Sequence, residues 1–157
     1  MSVMLNLPSL ISSMRVTFSK QNPTPEIFAS DFSIGLEQYI MGSMNIVGGN
    51  FMFWVNPISQ VISITRAVNP VSEIYAVQLG TIIENAISTM YTRSQISIIV
   101  PKGVIVSDLL RIFRVNNFTP DVIAVEVSVA IDKLARMTLV TCSDAVTLGF
   151  PVTGNIY

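Results

Sequence analysis

The sequence predicts a single α+β domain over residues 1–157: a mainly antiparallel β-sheet packed against one long helix (about 70–92) and one short helix (about 108–115). Three observations predict it. From Ala76 through Leu79, Ile83, Ala86/Ile87 to Met90, apolar residues recur every three or four positions, a helical stripe. β-like segments precede and follow that stretch. Isoleucine and valine supply 39 of the 157 residues, and both favour strands.

Taken in order, residues 1–13 carry no charged side chain and several large apolar ones, including Leu7 and Leu10. A free tail is ordinarily polar, so this arm is expected to dock on its own subunit or be exchanged with a neighbour. Met14–Ser19 alternates weakly, as a short strand would. Lys20–Ser33 contains Pro23, Pro25 and polar residues, which reads as a connecting loop. Two strands are expected next, Leu36–Val47 and Phe51–Val55, turning at Gly48-Gly49-Asn50. A further strand, Ile58–Val68, sets Ile62, Ile64 and Val68 on one face.

Asn69 suits a helix cap and Pro70 a first turn, so the long helix is expected to start there. Ile96–Val100 follows as a short strand closed by Pro101-Lys102-Gly103, and Val104–Val106 continues extended. Ser107 and Asp108 open the short helix, with Leu109, Ile112 and Phe113 on one side and Arg111 and Arg114 elsewhere. Then Ile123, Val125, Val127, Val129 and Ile131 alternate with smaller or polar residues, the period of a half-buried strand. Asp132-Lys133 would turn it into a partner strand, Ala135–Cys142. The competing signal is Ala130–Met137, whose residues are good helix formers. Residues 143–157 are broken by Gly and Pro and hold Phe150; this second apolar arm is expected to dock or exchange like the first.

The charged share, 12%, is about half the usual share for a soluble domain, and the formal net charge is −1. A surface so weakly charged is expected to be covered by copies of the chain, another protein or a membrane surface. Nucleic acid is not an expected partner, because no strongly basic face emerges. The uncharged run between Glu37 and Arg66 is interrupted by Asn, Gly and Pro, so no transmembrane helix is expected. The first residues lack the basic start of a secretory signal, and a single cysteine, Cys142, fits a reducing intracellular compartment.

Chemistry-bearing patterns are few. Histidine is absent, which removes the usual general base and imidazole-containing triads. The ten acids form no DxD or ExxE spacing, and no phosphate-loop glycine pattern occurs, so neither catalytic residues nor a cofactor or metal is expected. Arg111 and Arg114 are candidates for a weak anionic site. Phe51, Phe53, Trp54, Leu7, Leu10 and Phe150 are candidates for an interface. The function expected from this pattern is a non-enzymatic structural protein that self-assembles as a homo-oligomer, such as a virion coat, matrix or accessory component. A small domain holding an apolar ligand between sheet and helix is the alternative, and a peripheral membrane protein a third.

Overall fold

The computed structural model describes residues 5–21, 23–41, 54–68, 72–90, 95–114, 119–143 and 151–155. Six helices dominate it: α1 (Leu7–Ser19), α2 (Pro25–Met41), α3 (Ile58–Ala67), α4 (Glu73–Ser88), α5 (Val104–Arg114) and α6 (Pro120–Met137). Three five-residue strands, β1 (Gln95–Ile99), β2 (Leu139–Ser143) and β3 (Pro151–Asn155), form a small antiparallel sheet in the order β1-β2-β3. A fold built mainly on an antiparallel sheet is therefore not what the chain adopts.

Helix-start chemistry explains the difference. Asn6 Oδ1 accepts from the Ser9 N–H at 3.1 Å and Pro8 sits in the first turn, so α1 replaces the strand expected at 14–19. Thr24 Oγ1 accepts from the Ile27 N–H at 3.2 Å, ahead of Pro25 and Glu26. The prolines read as loop punctuation thus include the first residue of a helix. Thr119 Oγ1 accepts from the Val122 N–H at 3.3 Å ahead of Pro120 and Asp121, and the expected strand 123–131 is the middle of α6. In each case the cap satisfies a donor that the first turn would leave open, and an acid at the start of α2 and α6 suits the helix dipole. Ile58–Val68 is also helical up to Ala67, burying Val61 and Thr65, four residues apart.

Other expectations hold locally. The long helix is capped by Ser72, whose Oγ accepts from the Tyr75 N–H at 3.1 Å; Asn69 and Pro70 lie outside the described residues. Its stripe of Ala76, Leu79, Ile83, Ala86, Ile87 and Met90 is buried throughout. The short helix starts at Val104, earlier than expected, directly after Gly103 (φ +80°), and buries Leu109, Ile112 and Phe113. β1 matches the expected short strand to within a residue. β2 begins four residues later than the partner strand expected from Ala135, and the two pair with Ile98 opposite Val140 and Ile99 opposite Leu139. β3 lies within the second apolar arm and pairs with β2 of the same chain.

Helix packing closes a ring: α1 lies on α2, α2 on α3, α3 on α4, α4 on α5, α5 on α6, and α6 back on α1. Inside it one continuous core runs from Leu10 and Met14 through Phe32, Leu36, Leu79, Ile83 and Leu109 to Val127 and Leu134. Each such side chain contributes about 1.5–3 kcal/mol on full burial. Phe28 is the aromatic junction, 5.6 Å from Phe18, 6.1 Å from Phe32 and 6.4 Å from Tyr75 between ring centres. Val140 turns one face of the sheet to this core, while Ile99 and Leu139 share the exposed face.

Candidate functional site

Of the residues the sequence singles out, Leu10 is fully buried and Trp54 nearly so; both belong to the subunit interior and offer no surface for a partner. Leu7 is half-buried. Phe51, Phe53 and Phe150 lie outside the described residues. Arg111 and Arg114 do not converge on an anion. Arg114 Nε lies 2.5 Å from Glu73 Oε1 on α4, and Arg111 Nη1 lies 3.3 Å from Glu126 Oε2 on α6. Each guanidinium serves a different neighbouring helix.

A polar group that sequence reasoning misses sits inside the ring. The Tyr39 hydroxyl of α2 donates to Asp132 Oδ1 at 2.5 Å, and Arg136 Nε of α6 donates to Asp132 Oδ2 at 2.9 Å. Arg136 Nη2 also donates to the Leu5 carbonyl at 3.0 Å, tying the chain ahead of α1 to the far end of α6. Burial, and then the bond to Asp132, push the Tyr39 phenol well above its ordinary value. The bond to Asp132 likewise raises the Arg136 guanidinium. At neutral pH Tyr39 is thus a neutral donor in a closed network, suited to joining helices. Its sequence signal is the Asp132–Arg136 spacing of four within a helix-forming stretch. A second junction joins α3 to α4. Thr65 Oγ1 donates to the Val61 carbonyl at 2.6 Å, so at 2.9 Å the Tyr75 hydroxyl donates to Thr65. Burial pushes the Tyr75 phenol up to about 12.

The surface is quieter electrostatically than the charge count suggests. Seven ion pairs among the described residues engage Arg15, Lys20, Arg66, Arg111, Arg114, Lys133 and Arg136, each with a different Asp or Glu. Two of them, Arg111–Glu126 at 3.3 Å and Lys133–Asp108 at 3.4 Å, bridge α5 and α6 across a groove of about 310 Å³ floored by Val125, Val129 and Ala130. A groove of about 220 Å³ separates α4 from β1, with Ile98, Ile99 and Val100 on one side and Glu84, Asn85 and Ser88 on the other.

Large apolar side chains stand beside these neutralised pairs. Eleven described ones are at least 40% exposed, among them Val122 (48%), Val129 (46%) and Met137 (43%) on the outer face of α6. The strand expectation puts Val125, Val127 and Val129 on one face. In the helix Val127 points inward, while Val129 is exposed and Val125 lies at the groove. Among the described residues no three His, Cys, Asp or Glu side chains gather as a metal site, and no helix is long and apolar enough to cross a membrane.

Comparison with protein-family models, curated proteins and solved structures finds no match.

Proposed function

We propose that the protein is a non-enzymatic structural subunit that works by associating with copies of itself, in the manner of a coat, matrix or shell protein. The observation that carries this reading is how the charges are disposed. Seven of the nine Lys and Arg residues, and seven of the ten Asp and Glu residues, neutralise one another within the chain. Two more acids face neutral donors: Glu37 accepts from Asn56 Nδ2 at 3.0 Å, and Glu84 from the Gly103 N–H at 3.1 Å. What such a surface presents is a net charge of −1 and, among the described residues, eleven exposed large apolar side chains. Colloidal solubility of a lone domain draws on net charge of magnitude about 2–8. Covering apolar area with an identical copy supplies the missing protection and is favoured by about 25 cal/mol per Å² removed from water.

The test is light scattering behind a sizing column over a dilution series. Association gives a mass that is a multiple of 17.2 kDa at micromolar concentration. A mass of 17.2 kDa throughout would overturn the reading and favour ligand binding in the groove between α4 and β1.

A further inference from the structure

Resting on that reading of self-association, we infer that two copies meet through the outer faces of α6, with the helices antiparallel about a two-fold axis next to Val129. At about 100° per residue, Val122, Glu126, Val129, Lys133 and Met137 fall within one arc of α6 of roughly 80°, opposite the buried Ile131, Ala124 and Ala135. Val122, Val129 and Met137 supply the apolar contacts of that arc. Its charges have an order. On that arc one acid, Glu126, stands in the first half of the helix and one base, Lys133, in the second.

A homodimer of two-fold symmetry requires a surface complementary to itself. Parallel α6 helices would set acids against acids and bases against bases. Antiparallel helices set Glu126 against Lys133, and their dipoles also oppose. Placing the axis between positions 129 and 130 brings Val122 opposite Met137 of the second copy, Glu126 opposite Lys133, and the two Val129 side chains beside the axis. Glu126 and Lys133 remain roughly half exposed while bridging to Arg111 and Asp108 at 3.3 and 3.4 Å, so each retains room for a second partner. Across the contact the charges would then alternate: Arg111, Glu126, the second copy's lysine, the second copy's aspartate. Ile99 and Leu139, exposed side by side on the sheet, are contributed by two strands rather than by one helix face.

The experiment is sedimentation equilibrium of the full chain with Glu126→Lys, with Lys133→Glu, with both together, and with Val129→Glu, each also followed by thermal melting. The three single changes are expected to raise the dimer dissociation constant on the order of tenfold or more, since each places like charges together or a charge against an apolar contact twice per dimer. The double change restores opposite signs across the two-fold while leaving both in-chain pairs like-charged. It should bring dissociation back to within about threefold of the parent, although its melt stays lower. A double variant that dissociates more than either single one overturns the antiparallel contact, because the effect would then come from the α5–α6 bridges alone. An associating parent whose mass none of the single changes alters also overturns it, but leaves self-association standing on another face. A monomeric parent removes the underlying reading as well. Should a charge variant lose its cooperative melt, Val122→Gln with Met137→Gln probes the same face without altering charge, and an unchanged mass again counts against the inference.

Discussion

The Tyr39 hydroxyl donates to Asp132 Oδ1 at 2.5 Å across 93 positions of the sequence, and this bond joins α2 to α6 at a buried point of the ring. Its partner Arg136 carries the tie on to the Leu5 carbonyl. The segment leading into α1 is thereby held to the subunit by its backbone as well as by the buried Leu5 side chain.

That bond gives the fold an alkaline limit. Tyr39 and Tyr75 both have phenols raised above the ordinary value of 10.0 by burial, Tyr75 to about 12. Below pH 10 both phenols stay protonated folded or unfolded, and their contribution to stability is complete. Above it the unfolded chain loses these protons first. Stability then falls by about 1.4 kcal/mol per pH unit for each tyrosine, until pH passes the folded value. Tyr39→Phe should lower stability at pH 7 by about 1.5–3 kcal/mol, the value of a hydrogen bond to a charged group. It should also reduce the slope above pH 10. Urea unfolding between pH 7 and 11 checks both, and an unchanged alkaline slope would show that Tyr39 ionises normally in the folded protein.

Thr119 distinguishes a helix from a strand at residues 120–137. As a cap it satisfies the Val122 N–H, so Thr119→Ala should cost about 1 kcal/mol. At a strand end the same change would be close to neutral. Denaturant midpoints of parent and variant, at constant m-value, give the answer.

How legible the chain is turns on spacing. Ile123, Val127 and Ile131 are four apart, a step that suits a period of two and a period of 3.6 equally. What decides is Ala124, Ala130, Leu134 and Ala135, all buried, with Val129 exposed. Small alanines that resemble a strand's minor face are helix contacts. The β-branched bias is a weak guide, because its cost in a helix is below about 0.7 kcal/mol per residue and one buried Ile outweighs it. The cap-then-proline signature of Asn69-Pro70 occurs again at Thr24-Pro25 and Thr119-Pro120, where the surrounding prolines and valines disguise it as loop and strand. Phe28, Phe32, Leu36 and Ile40, also four apart, carry the helical period of α2 through a stretch that reads as loop and strand. The long helix and β1 are legible because a sustained stripe and a short apolar run bounded by turn residues have one ready interpretation. No local pattern can assign Glu73 to Arg114 or Tyr39 to Asp132, separations of 41 and 93 residues.

Gly80 sets how closely α4 and α5 approach. A Cβ there would lie 2.9 Å from Val106 Cγ2 and 3.0 Å from Val106 Cα, so backbone as well as side chain must give way. Gly80→Ala should destabilise by about 1–3 kcal/mol through overpacking, despite gaining up to about 1 kcal/mol in helix propensity. Adding Val106→Ala should recover only part of the loss, since the main chain of α5 at residue 106 still crowds the added methyl. A thermal melt of the single variant equal to or above the parent would mean that the two helices are farther apart than this.

The claim that the chain is a subunit of an assembly is tested most directly by its mass in solution, measured by sedimentation equilibrium at several loading concentrations in moderate salt without detergent. The account predicts one set of curves fitted by a monomer of 17.2 kDa in equilibrium with a defined multiple of that mass, the multiple prevailing at micromolar concentration. A single species of 17.2 kDa at every concentration would contradict it.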